Sequence, residues 1–186
     1  MQEPKNRTIL LISVFALAFA FVEASVVVYL RHLLGTGFNP PQVSREQVLL
    51  LAPGIAFLDP KTTLAVIKES QILKVEQFRE AATIIMLASV AFLVTRDWRE
   101  KLAYFLLAFG IWDIFYYVFL RMVIGWPQSL TNLDIFFLLP VPWIGPVITP
   151  LIISNVLILA ALFLLKRKVK LFVSGFERGI LVVCFS

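Results

Sequence analysis

The chain has 186 residues, of which 60% are hydrophobic and 16% are charged, and its formal net charge is +5. This composition excludes an ordinary soluble domain and indicates an integral membrane protein. Because the basic residues lie beside apolar runs, we expect the lipid bilayer, and not nucleic acid, to be their partner.

Four segments are apolar over the roughly 20 residues that a helix needs to cross a bilayer. They predict an all-α membrane protein with four transmembrane helices, in a single membrane domain of residues 1–170. An alternative for the first segment is a cleaved signal peptide, which we favour less because the apolar run continues past Ala20. The predicted spans are residues 9–30, 78–95, 102–120 and 147–165.

The basic residues near the span ends predict the threading, because Lys and Arg are retained on the cytoplasmic side. They precede the first span, fill the loop after the second and follow the fourth. Both termini are therefore expected in the cytoplasm, with residues 31–77 and 121–146 as extracytoplasmic loops and 171–186 as a cytoplasmic or interfacial tail. The residues are Lys5, Arg7, Arg96, Arg99, Lys101, Lys166, Arg167, Lys168 and Lys170.

Three loop segments carry local signals. Residues 48–58, "VLLLAPGIAFL", are too few to cross and are broken by Pro53 and Gly54, so we expect them in the interface or packed on the bundle. Residues 62–77 fit either a short hairpin or an amphipathic helix. The Pro-rich segment 138–150 cannot continue a regular helix, and it predicts either a re-entrant segment or a surface loop over the outer mouth.

The ionisable residues inside or beside the spans are the candidate functional groups, because a charge in the bilayer costs several kcal/mol. A rise of about 1.5 Å per residue places Glu23 in the outer half of span one and Asp113 near the midplane of span three. Arg79 and Glu80 fall at the outer end of span two. Asp134 lies in the outer connection, where "TNLD" predicts a capping box that opens a short helix.

Helical spacing suggests how these charges are neutralised. Asp113, Tyr117 and Arg121 lie four residues apart, and Glu23 and Arg31 lie eight apart, so each acid is predicted to face a basic residue on its own helix. These residues are expected to form a polar pocket in the extracytoplasmic half. The alternative is that the acids only hold helices together, with Arg, Tyr or Asn155 as partners. The candidate site residues are Glu23, Arg79, Glu80, Asp113, Tyr117 and Arg121.

Standard catalytic signatures are missing from the sequence. It contains no HExxH, Walker A, GxSxG or GxGxxG motif, and only one histidine, His32, and one cysteine, Cys184. The sequence therefore predicts no cofactor and no metal, and it favours a protein that is not an enzyme, with an enzyme acting on lipid or quinone as the weaker alternative.

Three segments carry a resemblance to known proteins. "REAATIIMLA" (79–88), "FGIWDIFYYVFLRMVIGWPQSL" (109–130) and "LDIFFLLPVPWIGPV" (133–147) resemble an uncharacterised family of small bacterial polytopic inner-membrane proteins. The resemblance implies a multi-pass protein of the bacterial inner membrane. It implies no activity, cofactor or partner.

Two hypotheses for the function follow. In the first, the acid and arginine pocket binds or conducts a small polar or amphipathic solute. In the second, the chain is an accessory subunit of a larger membrane complex, and its charges serve only helix packing. The small residues Ala16, Ala20 and Ala24 would then offer a close-contact face to a helix of another membrane protein subunit.

Overall fold

Four long helices and a small sheet make up the part of the chain that the structure, a computed structural model, describes: residues 5–34, 48–59 and 70–166. The elements follow each other as α1, β1, β2, α2, α3, β3, β4 and α4. Their bounds are α1 Lys5–Leu34, β1 Val48–Ala52, β2 Ile55–Leu58, α2 Ser70–Val94, α3 Trp98–Ile124, β3 Leu133–Phe137, β4 Trp143–Pro146 and α4 Ile148–Lys166.

All four helices are long and apolar enough to cross a membrane, as the sequence predicted. They have 30, 25, 27 and 19 residues, and the first three are longer than the predicted spans. Much of their apolar surface is exposed, with Phe78 at 76% and Leu93 at 86%. Exposed apolar area of this kind is unfavourable in water and compatible with lipid contact.

The ends of α3 show why this helix is longer than the apolar segment from which it was predicted. Asp97 has an extended backbone and its side chain accepts a hydrogen bond from the Glu100 backbone N–H at 3.0 Å, so the helix starts at Trp98. At the other end the N–H of Gly125 donates to Arg121 O at 3.1 Å. The polar residues of both end turns are therefore helical, although they lie outside the predicted span.

Successive helices run in opposite directions, and the predicted basic clusters meet at one end of the bundle. Lys5 of α1 pairs with Glu100 of α3 at 2.7 Å, and Thr95, just after α2, donates to the same carboxylate at 2.9 Å. We call this the basic end, and the opposite end, which carries the strands, the sheet end. Among the predicted basic residues, 167, 168 and 170 lie outside the described residues, as does the tail 171–186.

A four-stranded antiparallel sheet in the order β1-β2-β4-β3 corrects the all-α prediction. Residues 48–58 form a β-hairpin whose two turn residues are Pro53 and Gly54, and Gly54 has a φ of +78° that an L side chain rarely adopts. Residues 133–137 form β3, which corrects the prediction that "TNLD" caps a short helix over residues 135–139. Short apolar runs fit strand and helix patterns equally well, and here the pairing across strands decides.

The structure also bears on the two other loop segments, residues 62–77 and 138–150. Residues 70–77 are helical and belong to α2, which favours the helix over the hairpin, while residues 62–69 lie outside the described residues. The Pro-rich segment does not continue a helix, as predicted. It turns back to form β4, which leads directly into α4.

The core is built around α3, which packs between α1 and α4. The alanine face predicted for contact with another subunit is buried inside the chain: Ala16 and Ala20 are fully buried beside Ala103 and Ala108 of α3. Side chains this small let the two helices approach closely. The same face is therefore not available to a helix of another protein.

Candidate functional site

A buried acidic network occupies the sheet end of the bundle, and its first part joins α1 to α2. Arg79 of α2 donates to Glu23 of α1 and, through Nε and Nη2, to both carboxylate oxygens of Glu76 at 2.8 and 2.5 Å. Thr83 Oγ1 donates to the other oxygen of Glu23 at 3.2 Å. The prediction that Glu23 pairs with Arg31 of its own helix is wrong: the partners of Glu23 lie on α2, and Arg31 donates to Asp134.

The second part joins α2 to the sheet. Glu80 is 7% exposed, and its carboxylate accepts a hydrogen bond from the backbone N–H of Leu138 at 2.8 Å. Leu138 follows β3 directly, so this contact holds the end of that strand against the helix. Arg79 and Glu80 are neighbours in sequence that serve different partners, as the angle of about 100° between successive helical residues predicts.

The third part joins α3 to α4. Asp113 is buried and accepts a hydrogen bond from Ser154 Oγ at 2.7 Å. The helices approach closely here because Gly110 lies one turn before Asp113: a Cβ at Gly110 would lie 2.8 Å from Ser154 O and 2.7 Å from Ile158 Cγ1. Ser154 was not predicted as a partner of Asp113. The neighbouring Asn155 was, but its side chain donates to Leu151 O.

The fourth part joins α1 and α3 to β3 through Asp134. Tyr117 Oη donates to Asp134 Oδ2 at 3.0 Å, and Arg31 Nη2 donates to Oδ1 at 3.1 Å. Arg31 also lies over the Trp126 ring, 4.0 Å from its centroid. Asp134 is therefore not a helix cap but a buried carboxylate. Its burial raises its pKa to about 6, although the Arg31 charge and the Tyr117 hydrogen bond oppose the rise.

Arg121 does not belong to the network, which corrects its prediction as a partner of Asp113. Its side chain is exposed, and Nη1 donates to the backbone carbonyls of Gly125 and Pro127 at 2.5 and 3.0 Å. These carbonyls follow the last turn of α3, where a cation is favourable to the helix dipole. The i, i+8 spacing between Asp113 and Arg121 therefore did not identify the partner of either residue.

Electrostatic interactions connect the parts into one site. The charge of Asp134 acts on Asp113, and the charges of Glu76, Arg79 and Glu23 act on Glu80. Tyr116 lies within electrostatic range of the first and the fourth part. The charges of Glu23 and Arg79 act on it from the first part, and those of Asp134 and Arg31 from the fourth. Five of the six predicted site residues therefore lie in one region. The set also includes residues that the prediction left out: Arg31, Glu76, Thr83, Asp134 and Ser154.

Local sequence signals for some of these residues existed. Glu76 stands three residues before Arg79, a spacing that pairs opposite charges on a helix. Thr83 and Ser154 are polar residues in apolar spans, which often bond to neighbouring helices. No signal in the sequence points to the Leu138 N–H, because every residue except proline carries one.

Within the described ranges, no group of three or more His, Cys, Asp or Glu residues is placed to hold a metal ion. Comparison with protein-family models, with curated proteins and with solved structures found no match for this chain.

Proposed function

We propose that this chain is a multi-pass protein of the bacterial inner membrane that binds or conducts a small cationic solute, a proton or a small cation, at the acidic network. The sheet end faces the extracytoplasmic side and both termini lie in the cytoplasm. This threading is supported by the basic residues at the other end of the bundle, since Lys and Arg are retained inside.

An excess of buried acid is the observation that carries this proposal. Among the residues that the structure describes at the sheet end, two arginines contact the network, Arg31 and Arg79. The buried carboxylates there outnumber these two positive charges. If all of them were ionised, the unmatched negative charges would repel each other in a poorly polarisable interior. Protons or a bound cation would remove that repulsion. The buried carboxylates are Glu23, Glu76, Glu80, Asp113 and Asp134.

The side chains of the network also offer groups that can pass a proton. Tyr117 donates to Asp134, and the neighbouring Tyr116 lies within electrostatic range of Asp134 and of Glu23. Carboxyl and phenol groups within hydrogen-bond reach of each other, or of a shared water, are the usual carriers in such relays. Their arrangement supports a proton as the solute.

The experiment is a flux measurement in proteoliposomes that contain a pH-sensitive dye, with a potassium gradient and valinomycin to drive proton entry. The wild-type protein is expected to accelerate acidification, and Asp113→Asn is expected to abolish the acceleration. In parallel, thermal unfolding is measured with sodium, potassium, ammonium or choline added, to detect a bound cation. The matched control is Glu100→Gln, which makes the same chemical change on the same helix at the basic end.

A second variant, Glu80→Gln, covers the case in which Asp113→Asn does not fold. Equal proton flux and equal cation stabilisation in the wild type and in a folded variant of either kind would refute the proposal. Loss of flux in Glu100→Gln as well would show that the effect is not specific to the network.

The alternative function, an accessory subunit of a larger membrane complex, is supported by a different observation. Each of the five carboxylates already accepts a hydrogen bond from a protein group, so the network can serve packing alone. This alternative predicts that other membrane proteins stay bound to the chain through purification in mild detergent. A single monodisperse species with measurable flux would rule it out.

A further inference from the structure

Strand β1 exposes three consecutive leucines. Leu49, Leu50 and Leu51 have 59%, 61% and 77% of their surface exposed. The pairing register shifts between Val48 and Leu50, so Leu49 lies at an irregularity of the strand, whereas Leu50 and Leu51 pair in regular register with β2. Neighbouring residues of a regular strand point to opposite faces of the sheet, so at Leu50 and Leu51 neither face of β1 is covered by the described parts of the chain. Leucines exposed on both faces of one strand need an apolar surrounding to be favourable.

A contact with α4 determines where this hairpin lies. Thr149 Oγ1, in the first turn of α4, donates to the carbonyl of Gly54 in the β1–β2 turn at 3.1 Å. The turn is therefore held at the level where a helix long enough to cross a membrane begins. Just beyond this level the exposed apolar surface of α4 starts, with Ile152 at 57% and Val156 at 57% exposure.

The backbone of β1 limits how deep the hairpin can go. Within the described residues β1 pairs on one side only, with β2, and it is the edge of the sheet. Unpaired backbone N–H and C=O groups cost several kcal/mol each in hydrocarbon, and water is available to them only at the level of the headgroups. The leucines favour lipid and the strand edge favours water, and both conditions are met in the interfacial layer.

We infer that the β1–β2 hairpin lies in the headgroup layer of the membrane at the sheet end, with Leu49, Leu50 and Leu51 in contact with lipid. The hairpin extends the lipid-facing surface of α4 and anchors the sheet over the buried network. This inference rests on the membrane insertion in the proposed function, and it does not depend on which solute is carried.

Spin labels at three single cysteines test the inference, in a Cys184→Ser background and in vesicles of phosphatidylethanolamine and phosphatidylglycerol. Leu50→Cys reports on the hairpin, Ile152→Cys on the lipid-facing side of α4, and Gln128→Cys on an exposed polar turn. Power saturation with oxygen, which concentrates in lipid, and with a water-soluble nickel chelate gives the depth of each label. The ratio of oxygen to nickel accessibility at position 50 is expected to be several-fold higher than at position 128 and lower than at position 152.

Other results overturn the inference in distinguishable ways. A ratio at position 50 equal to that at 128 would put the hairpin in water, and low accessibility to both reagents would mean that protein covers it. Spin–spin broadening at position 50 would indicate a second copy paired along the edge of β1. A water-like ratio at position 152 would instead show that membrane insertion itself is wrong.

Discussion

Arg79 is the arginine that binds two carboxylates of the network. It binds Glu23 and Glu76, on two different helices, and its side chain is 20% exposed. A guanidinium suits this role because it is always charged and donates in a planar fork that two carboxylates can share. A lysine at the same position could not make the paired contact to Glu76.

Removal of the Arg79 charge should destabilise the protein strongly. Arg79→Gln leaves two buried carboxylates without their cation, a change that typically costs about 3–5 kcal/mol. The measurement is thermal or denaturant unfolding in detergent. Arg121→Gln is the control, since that arginine is exposed and donates to two backbone carbonyls, and its loss should cost well under half as much. Equal effects of the two variants would show that Arg79 is not the centre of the network.

Asp134 should make stability depend on pH. Because burial raises its pKa from 3.8 to about 6, the folded state binds this proton more tightly than the unfolded state. The stability that protonation of Asp134 contributes is fully present below about pH 4 and is lost as the pH rises through about 6. The unfolding temperature of the wild type is therefore expected to fall between pH 4 and pH 7 more than that of Asp134→Asn. Parallel curves for the two proteins would contradict this.

At the scale of elements, the contact between α3 and α4 depends on a missing side chain. Gly110 faces the backbone of Ser154, and this closeness lets Ser154 reach Asp113. Helix formation alone would favour alanine over glycine by about 1 kcal/mol, so glycine here indicates that packing decides.

Gly110→Ala should push α4 away from α3. The added Cβ would contact a backbone oxygen, which cannot rotate aside, and overpacking of this kind costs about 1–3 kcal/mol. The displacement should also break the Asp113 hydrogen bond. Ser154→Ala, which removes that bond without a clash, is the matched variant, and a double-mutant cycle of unfolding free energies should be non-additive. Full additivity would mean that α4 does not move.

At the scale of the whole molecule, the proposed function depends most on the direction in which the chain is threaded through the membrane. Gln128 lies at the sheet end and Arg96 at the basic end, and both are exposed. In a Cys184→Ser background, Gln128→Cys is expected to react in intact cells with a maleimide that cannot cross membranes. Arg96→Cys should react only after the cells are opened. The reverse pattern would place the acidic network on the cytoplasmic side.

The helices and much of the site were predictable because both rest on local properties of the chain. Hydrophobic length and helical spacing are counted along the sequence, so the four long apolar helices and the burial of their acids could be predicted from it. The charge of Arg31 and Arg79 was visible, but not their partners. A pair such as Arg31 and Asp134 joins residues 103 positions apart, and nothing in either local sequence specifies the other.

By itself, the sequence determined four helices that are long and apolar enough to cross a membrane, and the small set of charged residues among them, because each of these follows from which residues neighbour each other along the chain. Only the tertiary structure decided that two hairpin segments form one sheet, that Arg79 and not Arg31 neutralises Glu23, and that Arg121 stays outside the network. Strand pairing and ion pairing depend on which backbones and side chains meet after the helices pack, and distances in space are not recorded in residue order.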